Sequence, residues 1–174
     1  MNKIGVERKY LPEFVYGGID GIVTTFAVVS GVLGASLSAS IVLILGFANL
    51  VADGFSMATS NYLSTSSRNE LSKKSLGRNA LKTSFVTFIS FFVMGFIPLF
   101  AFVLTAVGNF PHIASNQFAY SIFFTFIALG IVGWFKGKIT NKNKIFSSIQ
   151  TIIIGGLAAI LAFATGYFIK SLIG

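Results

Sequence analysis

Three long stretches without a charged residue, 21–52, 83–135 and 145–169, constrain this chain more than any other feature. A bilayer core about 30 Å thick is crossed by about 20 apolar helical residues, so each stretch is long enough to span a membrane. Only 10% of the 174 residues are charged, against about 25% in a typical soluble domain. This composition argues strongly against a soluble globular domain, and it excludes a disordered chain. We predict an all-α integral membrane protein.

Breaks inside these stretches set the number of crossings. The cluster 108–112 contains a proline among turn-forming residues, and 34–40 consists largely of small residues and serines. Dividing the chain at these points predicts five transmembrane helices in a single transmembrane domain, 1–174. The predicted spans lie near 15–35, 41–63, 84–107, 118–135 and 146–169, and a basic cytoplasmic linker occupies 64–83.

The positions of the 13 basic residues predict the orientation. Twelve of them lie in the N-terminal segment, in the linker 64–83 and in 136–144, which alternate onto one side, whereas Lys170 alone lies opposite. The positive-inside rule therefore places the N-terminus in the cytoplasm and the C-terminus outside. The net charge of +8 is explained without nucleic acid, and basic loops are also compatible with contacts to anionic lipid headgroups of the bilayer.

The N-terminal segment does not resemble a cleavable signal peptide. Its first 13 residues carry five charged side chains, and the apolar run that follows has the length of a full span. Together with the short loops, this favours a multi-pass protein of a bacterial plasma membrane.

Two carboxylates fall inside the predicted spans, Asp20 in the first and Asp53 near the middle of the second. A carboxylate at mid-bilayer costs about 3 kcal/mol and therefore faces the protein interior or a wet cavity. On the second span Asn49, Asp53, Met57 and Asn61 recur every four residues and so share one helical face. If the first two spans pack side by side, these groups form a polar ladder from the cytoplasmic surface to the midplane. The alternative is that the aspartates are hydrogen-bond partners between helices.

This ladder has the chemistry of a site for a divalent cation. Carboxylates and amide carbonyls suit hard or borderline cations, and a thioether adds softness, so Fe²⁺ fits better than Mg²⁺ or Ca²⁺. The usual zinc site is excluded, because there is no cysteine and the single histidine, His112, lies in an outer connection. Carboxylates also bind protons, which a cation displaces. The predicted metal ligands are Asp20, Asp53, Met57, Asn61 and Asn49, with Asp20 and Asp53 as the proton-coupling groups; Met57 is equally compatible with a packing role.

A homodimer would complete such a site. One chain offers only two buried carboxylates, whereas a divalent cation usually takes four to six ligands or more. The small residues Gly17 and Gly21 on the first span, and Ala158, Ala162 and Gly166 on the fifth, are spaced to permit close helix contacts. We therefore predict a homodimer with its pathway between paired first spans.

Four runs of residues on the first two predicted spans form recognisable motifs: Asp20-Gly-Ile-Val-Thr-Thr25 and Ser30-Gly-Val32 on the first, and 48–58 with 61–64 on the second. These runs resemble the first and second spans of the vacuolar iron transporter family, which includes bacterial iron and manganese exporters. The segments 95–99, 136–138 and 155–159 also fit, so the similarity covers nearly the whole chain.

The resemblance implies a five-span homodimer that moves Fe²⁺ or Mn²⁺ out of the cytosol, commonly in exchange for protons. The family's pathway carboxylate on the first span matches Asp20, and its second-span methionine matches Met57. Many members carry Glu or Asp at the place of Asn61, and Asp53 adds a carboxylate two turns further in. Some members also have a glutamate-rich cytosolic metal-binding domain after the second span. In the linker 64–83 of this chain, Glu70 is the only acidic residue.

Two functions of different classes follow. The first is transport of a divalent transition metal out of the cytosol in exchange for protons, with Fe²⁺ or Mn²⁺ as substrate and no cofactor. The second is a non-transporting membrane scaffold or a metal sensor related to the transporters. An enzyme is not expected. A serine protease within the membrane would need a His or Lys beside its serine, and none lies within a span. An aspartyl protease would need two aspartates side by side, whereas Asp20 and Asp53 differ in predicted depth by about two turns.

Overall fold

The computed structural model describes the backbone of residues 3–71 and 78–173, and the side chains of these ranges from residue 10 onward. Within these ranges there is no strand, which confirms the predicted all-α class. The helices are α1 (Lys3–Gly34), α2 (Ala39–Leu71), α3 (Ala80–Gly95), α4 (Phe100–Val107), α5 (Pro111–Ala114), α6 (Gln117–Ile139) and α7 (Lys144–Ile173).

Five stretches of the described chain are long and apolar enough to cross a membrane, as predicted. They are Tyr10–Gly34, Ala39–Leu71, Ala80–Val107, Gln117–Ile139 and Lys144–Ile173. The chain is thus a multi-pass membrane protein. The helix α2 continues through the first part of the predicted linker 64–83, and residues 72–77 of that linker, with Lys73 and Lys74, lie outside the described residues.

The third span is interrupted, which the apolar pattern alone did not indicate. The helix α3 ends at Gly95, a 3₁₀ turn covers Ile97–Leu99, and α4 begins at Phe100. Pro98 lies in this turn, and proline lacks the N–H that would continue the α-helical bonding. The Ser121 hydroxyl on α6 donates to the Pro98 carbonyl at 2.6 Å and ties the interruption to the bundle.

The helix α1 is central, because it packs extensively on both α3 and α7 and more sparingly on α2 and α6. Glycines allow the close approach. A Cβ atom at Gly17 would lie 2.7 Å from the Thr87 carbonyl oxygen of α3, and one at Gly21 would meet the Phe91 backbone. On the other side, Gly166 of α7 packs on the Gly31 backbone. The glycines of both small-residue patterns therefore pack against helices of the same chain, and the homodimer stays a prediction.

Serine hydroxyls form hydrogen bonds between the helices of the bundle. Ser90 on α3 donates to the Phe14 carbonyl of α1, and Ser148 on α7 donates to the Gly130 carbonyl of α6, each at 2.9 Å. Interhelical hydrogen bonds of this kind contribute about 0.6 kcal/mol each in membrane proteins, and small side chains let the helices approach. The first of these bonds holds α1 against α3, and the second holds α7 against α6.

Candidate functional site

A polar cavity of about 500 Å³ lies at the end of the bundle where α1 begins and α2 ends. This is the predicted cytoplasmic end. Its lining residues on α2 recur at intervals of three and four, because that spacing keeps side chains on one helical face. The cavity is lined by Glu13, Tyr16 and Asp20 of α1, by Asp53, Ser56, Met57, Ser60, Asn61, Ser64, Thr65 and Arg68 of α2, and by Arg78 just before α3.

Asp20 and Asp53 share this cavity and are near enough to interact electrostatically. Both side chains are half-buried. Within the described part of the chain, neither carboxylate forms an ion pair or accepts a hydrogen bond. Carboxylates that served as hydrogen-bond partners between helices would be engaged with a donor. The arrangement instead leaves two acidic groups turned toward a space that can hold water and a cation.

Met57 both lines the cavity and belongs to the hydrophobic core, where it is 9% exposed. Its thioether therefore lies at the boundary between the polar space and the packed interior. Packing and ligation are both compatible with this position. A thioether placed beside carboxylates adds a soft donor to a hard set, a combination that suits a borderline cation.

Asn61 lines the cavity but is also bonded to its neighbours. Its amide nitrogen donates to the Thr87 hydroxyl of α3 at 2.9 Å, and its carbonyl oxygen accepts from the Thr65 hydroxyl at 3.3 Å. Asn61 thus joins α2 to α3 at the level of the site. An amide oxygen has two lone pairs, so one remains for a ligand.

Asn49 is not among the residues that line the cavity. It lies one turn beyond Asp53, and its side-chain nitrogen is buried without a hydrogen-bond partner among the described residues. The structure therefore brings four of the five predicted ligands to one cavity and leaves Asn49 outside it.

Glu13 and Arg78 form an ion pair at this cavity that the sequence did not indicate. The Arg78 Nη1 lies 2.7 Å from the Glu13 Oε1, and the Glu13 side chain is only 7% exposed. Its second oxygen, Oε2, is buried without a hydrogen-bond partner among the described residues. The position of Glu13 was detectable in principle, because it precedes Asp20 by about two turns and so shares its helical face. The pairing with the distant Arg78 had no signal in the sequence.

The acidic groups of the described residues are too few at this cavity to enclose a metal ion. Among the described residues, no group of three or more His, Cys, Asp or Glu side chains lies close enough together to hold a metal ion. Ser56, Ser60 and Ser64 add neutral hydroxyl oxygens along the same face of α2. The site of one chain can therefore receive a cation that keeps part of its hydration shell, since divalent cations need more ligands than these side chains supply.

Comparison with known proteins identifies the family. A model described as the VIT family matches residues 11–81 and 68–167. The vacuolar iron transporter of Plasmodium berghei (strain Anka) is 25% identical over 230 residues, which cover 95% of this chain and 84% of the relative. Vacuolar iron transporter 1 of Tulipa gesneriana is 24% identical, covering 91% and 87%. Vacuolar iron transporter 1 of Arabidopsis thaliana is 24% identical, covering 87% and 82%.

These alignments are longer than the 174 residues of this chain, so the relatives carry residues that it lacks. The family match divides at 68–81, where α2 gives way to α3. The relatives named here are called vacuolar or come from a parasite and plants, and they do not support the expected bacterial plasma membrane. The two matched segments together cover most of the residues, and the chain therefore belongs to the VIT family.

Proposed function

We propose that this chain transports a divalent transition metal, Fe²⁺ or Mn²⁺, out of the cytosol in exchange for protons. The observation that carries the proposal is the cavity in which Asp20, Asp53 and Met57 meet inside a membrane-spanning bundle. Two carboxylates that have no partner among the described residues and one thioether suit a borderline divalent cation. The relatives' name, vacuolar iron transporter, supports a metal ion as substrate and iron in particular.

The cavity is proposed to be the cytosolic entrance. By the positive-inside rule, the end of the cavity at which Glu13 and Arg78 pair lies on the cytosolic side. Asp20 follows Glu13 by two helical turns, about 10 Å along α1. Beyond Asp53 lie the fully buried side chains of Leu50, which packs at Gly95, and of Phe91, whose ring packs at Gly54. We interpret this arrangement as the state that accepts metal from the cytosol.

Proton exchange follows from competition for the same two carboxylates. Asp20 and Asp53 repel one another when both are ionised and unpaired in a partly dehydrated cavity. Either a divalent cation or protons relieve this repulsion, and the two occupants exclude each other. Metal that leaves toward the opposite side is then replaced by protons, which return to the cytosol when the next metal ion binds.

The experiment that tests this function is flux into proteoliposomes with an acidic interior. We expect Fe²⁺ or Mn²⁺ entry that is driven by the proton gradient and that falls to the leak rate when a protonophore collapses it. Metal entry that the protonophore does not change would contradict proton exchange. No entry of either metal by folded wild-type protein would instead support the alternative, a scaffold or metal sensor.

The same proposal includes a homodimer, because a second copy would contribute carboxylates that one chain lacks. The glycines of α1 are engaged by α3 and α7, so we place the contact across the cavity opening instead, where Tyr16 and Ser60 are exposed.

A cysteine-free chain makes this contact testable. We expect Ser60→Cys to give a dimer with a short bismaleimide in lipid nanodiscs, and Ile153→Cys, 54% exposed on α7, to remain uncrosslinked. Wild-type protein that transports metal with the mass of one 18.6 kDa chain would overturn the dimer.

A further inference from the structure

We infer that the connection between α6 and α7 binds an anionic phospholipid, with its headgroup on a pair of lysines and an acyl chain in a neighbouring apolar groove. The headgroup part is built around Trp134, the only tryptophan of the chain. The Nζ of Lys138 lies 5.4 Å from the centroid of its ring, and the Nζ of Lys144 lies 5.2 Å from it. Two cations from different helices thus converge on one exposed side chain.

Among the described residues, no acidic side chain pairs with either of these two ammonium groups. No acidic residue follows Glu70 in the sequence, and neither lysine forms an ion pair within the described residues. Lys138 lies in the last turn of α6, where the helix dipole favours a cation, but Lys144 is the first residue of α7, where the dipole disfavours one. An anion placed between the two ammonium groups would offset their repulsion and the unfavourable position of Lys144.

An apolar groove of about 390 Å³ is lined by Phe135 and Ile139, which are the chain neighbours of Trp134 and Lys138. On α6 it is lined by Ile131, Phe135 and Ile139, which flank the edge of the helix that carries Trp134 and Lys138. Its opposite wall comes from the first turns of the membrane-spanning part of α1, and all its lining side chains are apolar. Lipid acyl chains fit such a groove at the end of a span.

The two features together select a lipid rather than a free phosphate ion. A phosphate ion would use the lysines but not the groove, whereas a phospholipid uses both. A net negative headgroup is favoured over phosphatidylcholine, because the choline of the latter returns a positive charge to the lysines. Exposed tryptophan beside lysine is also typical of the membrane–water interface, and basic residues there attract anionic lipids. The inference depends only on the membrane-spanning fold and not on the proposed transport.

The single tryptophan makes the site directly measurable. The full chain is reconstituted in phosphatidylcholine vesicles, and a rising fraction of the lipid is replaced by phosphatidylglycerol or phosphatidylcholine with brominated chains, which quench tryptophan at contact. We expect brominated phosphatidylglycerol to reach half-maximal quenching at a mole fraction at least fivefold lower than brominated phosphatidylcholine. The preference, which is the ratio of these two mole fractions, should fall about fivefold in each of Lys138→Gln and Lys144→Gln. This is the effect of one basic charge near the membrane surface.

Lys170→Gln is the matched control, because this exposed lysine lies at the far end of α7. It should leave the preference unchanged. Equal quenching by the two brominated lipids would overturn the site, as would a preference that survives in the double variant. Millimolar inorganic phosphate that abolishes the preference would show that the lysines bind a free anion and would also overturn it. If a lysine variant does not fold, loss of the wild-type preference at high salt tests the same charge dependence.

Discussion

Replacing either cavity carboxylate by its amide, Asp20→Asn or Asp53→Asn, is expected to lower metal flux at least tenfold. The substitution keeps the size of the side chain and removes its charge. An interaction with a charged group contributes about 1.5–3 kcal/mol, which corresponds to a factor of about 10 to 100. Because Asp20 and Asp53 face one cavity, each is expected to be needed. The measurement is the initial rate of Fe²⁺ or Mn²⁺ entry into proteoliposomes with an acidic interior.

Glu70→Gln provides the matched control for this prediction. Glu70 lies on α2 like Asp53, but it is exposed and does not line the cavity. The same loss of a carboxylate there should leave the flux at the wild-type rate. An aspartate variant that folds and transports as fast as wild type would remove that residue from the pathway, and a slow Glu70→Gln variant would move metal recruitment to the end of α2.

The five spans were predictable because the bilayer dictates their length. The charge-free stretches and the two breaks at 34–40 and 108–112 carry that information, and no tertiary contact is needed to interpret it. The shared face of Asp53, Met57 and Asn61 was predictable for a similar reason, since the helical repeat places every fourth residue on one side. The convergence with Asp20 depended on α1 packing beside α2, which the sequence allowed but did not require.

The remaining features of the site depend on contacts between distant residues. The Glu13–Arg78 pair joins positions far apart in the chain, and its geometry comes from how α1 meets the start of α3. Likewise, the spacing of Gly17 and Gly21 indicates that a helix approaches α1 closely but not which helix. The structure assigns that contact to α3 of the same chain. Asn49 shows the limit of the helical repeat, because it shares the face of Asp53 but lies beyond the end of the cavity.

The substitution Gly21→Ala is expected to destabilise the fold. Its effect should exceed that of an alanine at a glycine that has free space around its Cα. The Cβ atom of Gly21→Ala would lie 3.0 Å from both the carbonyl carbon and the Cα of Phe91, and closer still to the carbonyl oxygen. These are backbone atoms of α3, so no side-chain rotation relieves the clash and the two helices must separate. Overpacking of this kind costs about 1–3 kcal/mol. We expect a lower midpoint of thermal unfolding in detergent, followed by Trp134 fluorescence.

Gly156→Ala is the control for this change, since the nearest atom to its Cβ would be the Phe126 Cε1 at 3.9 Å. That variant should unfold at the wild-type temperature or slightly above it, because alanine is favoured over glycine in helices by about 1 kcal/mol. Gly21 also adjoins Asp20, so moving α1 away from α3 shifts a cavity carboxylate and weakens the Glu13–Arg78 pair. Gly21→Ala should therefore lower both stability and flux, whereas Asp20→Asn should lower flux alone. A Gly21→Ala variant with the stability of wild type would show that α1 and α3 do not pack as closely as their glycines require.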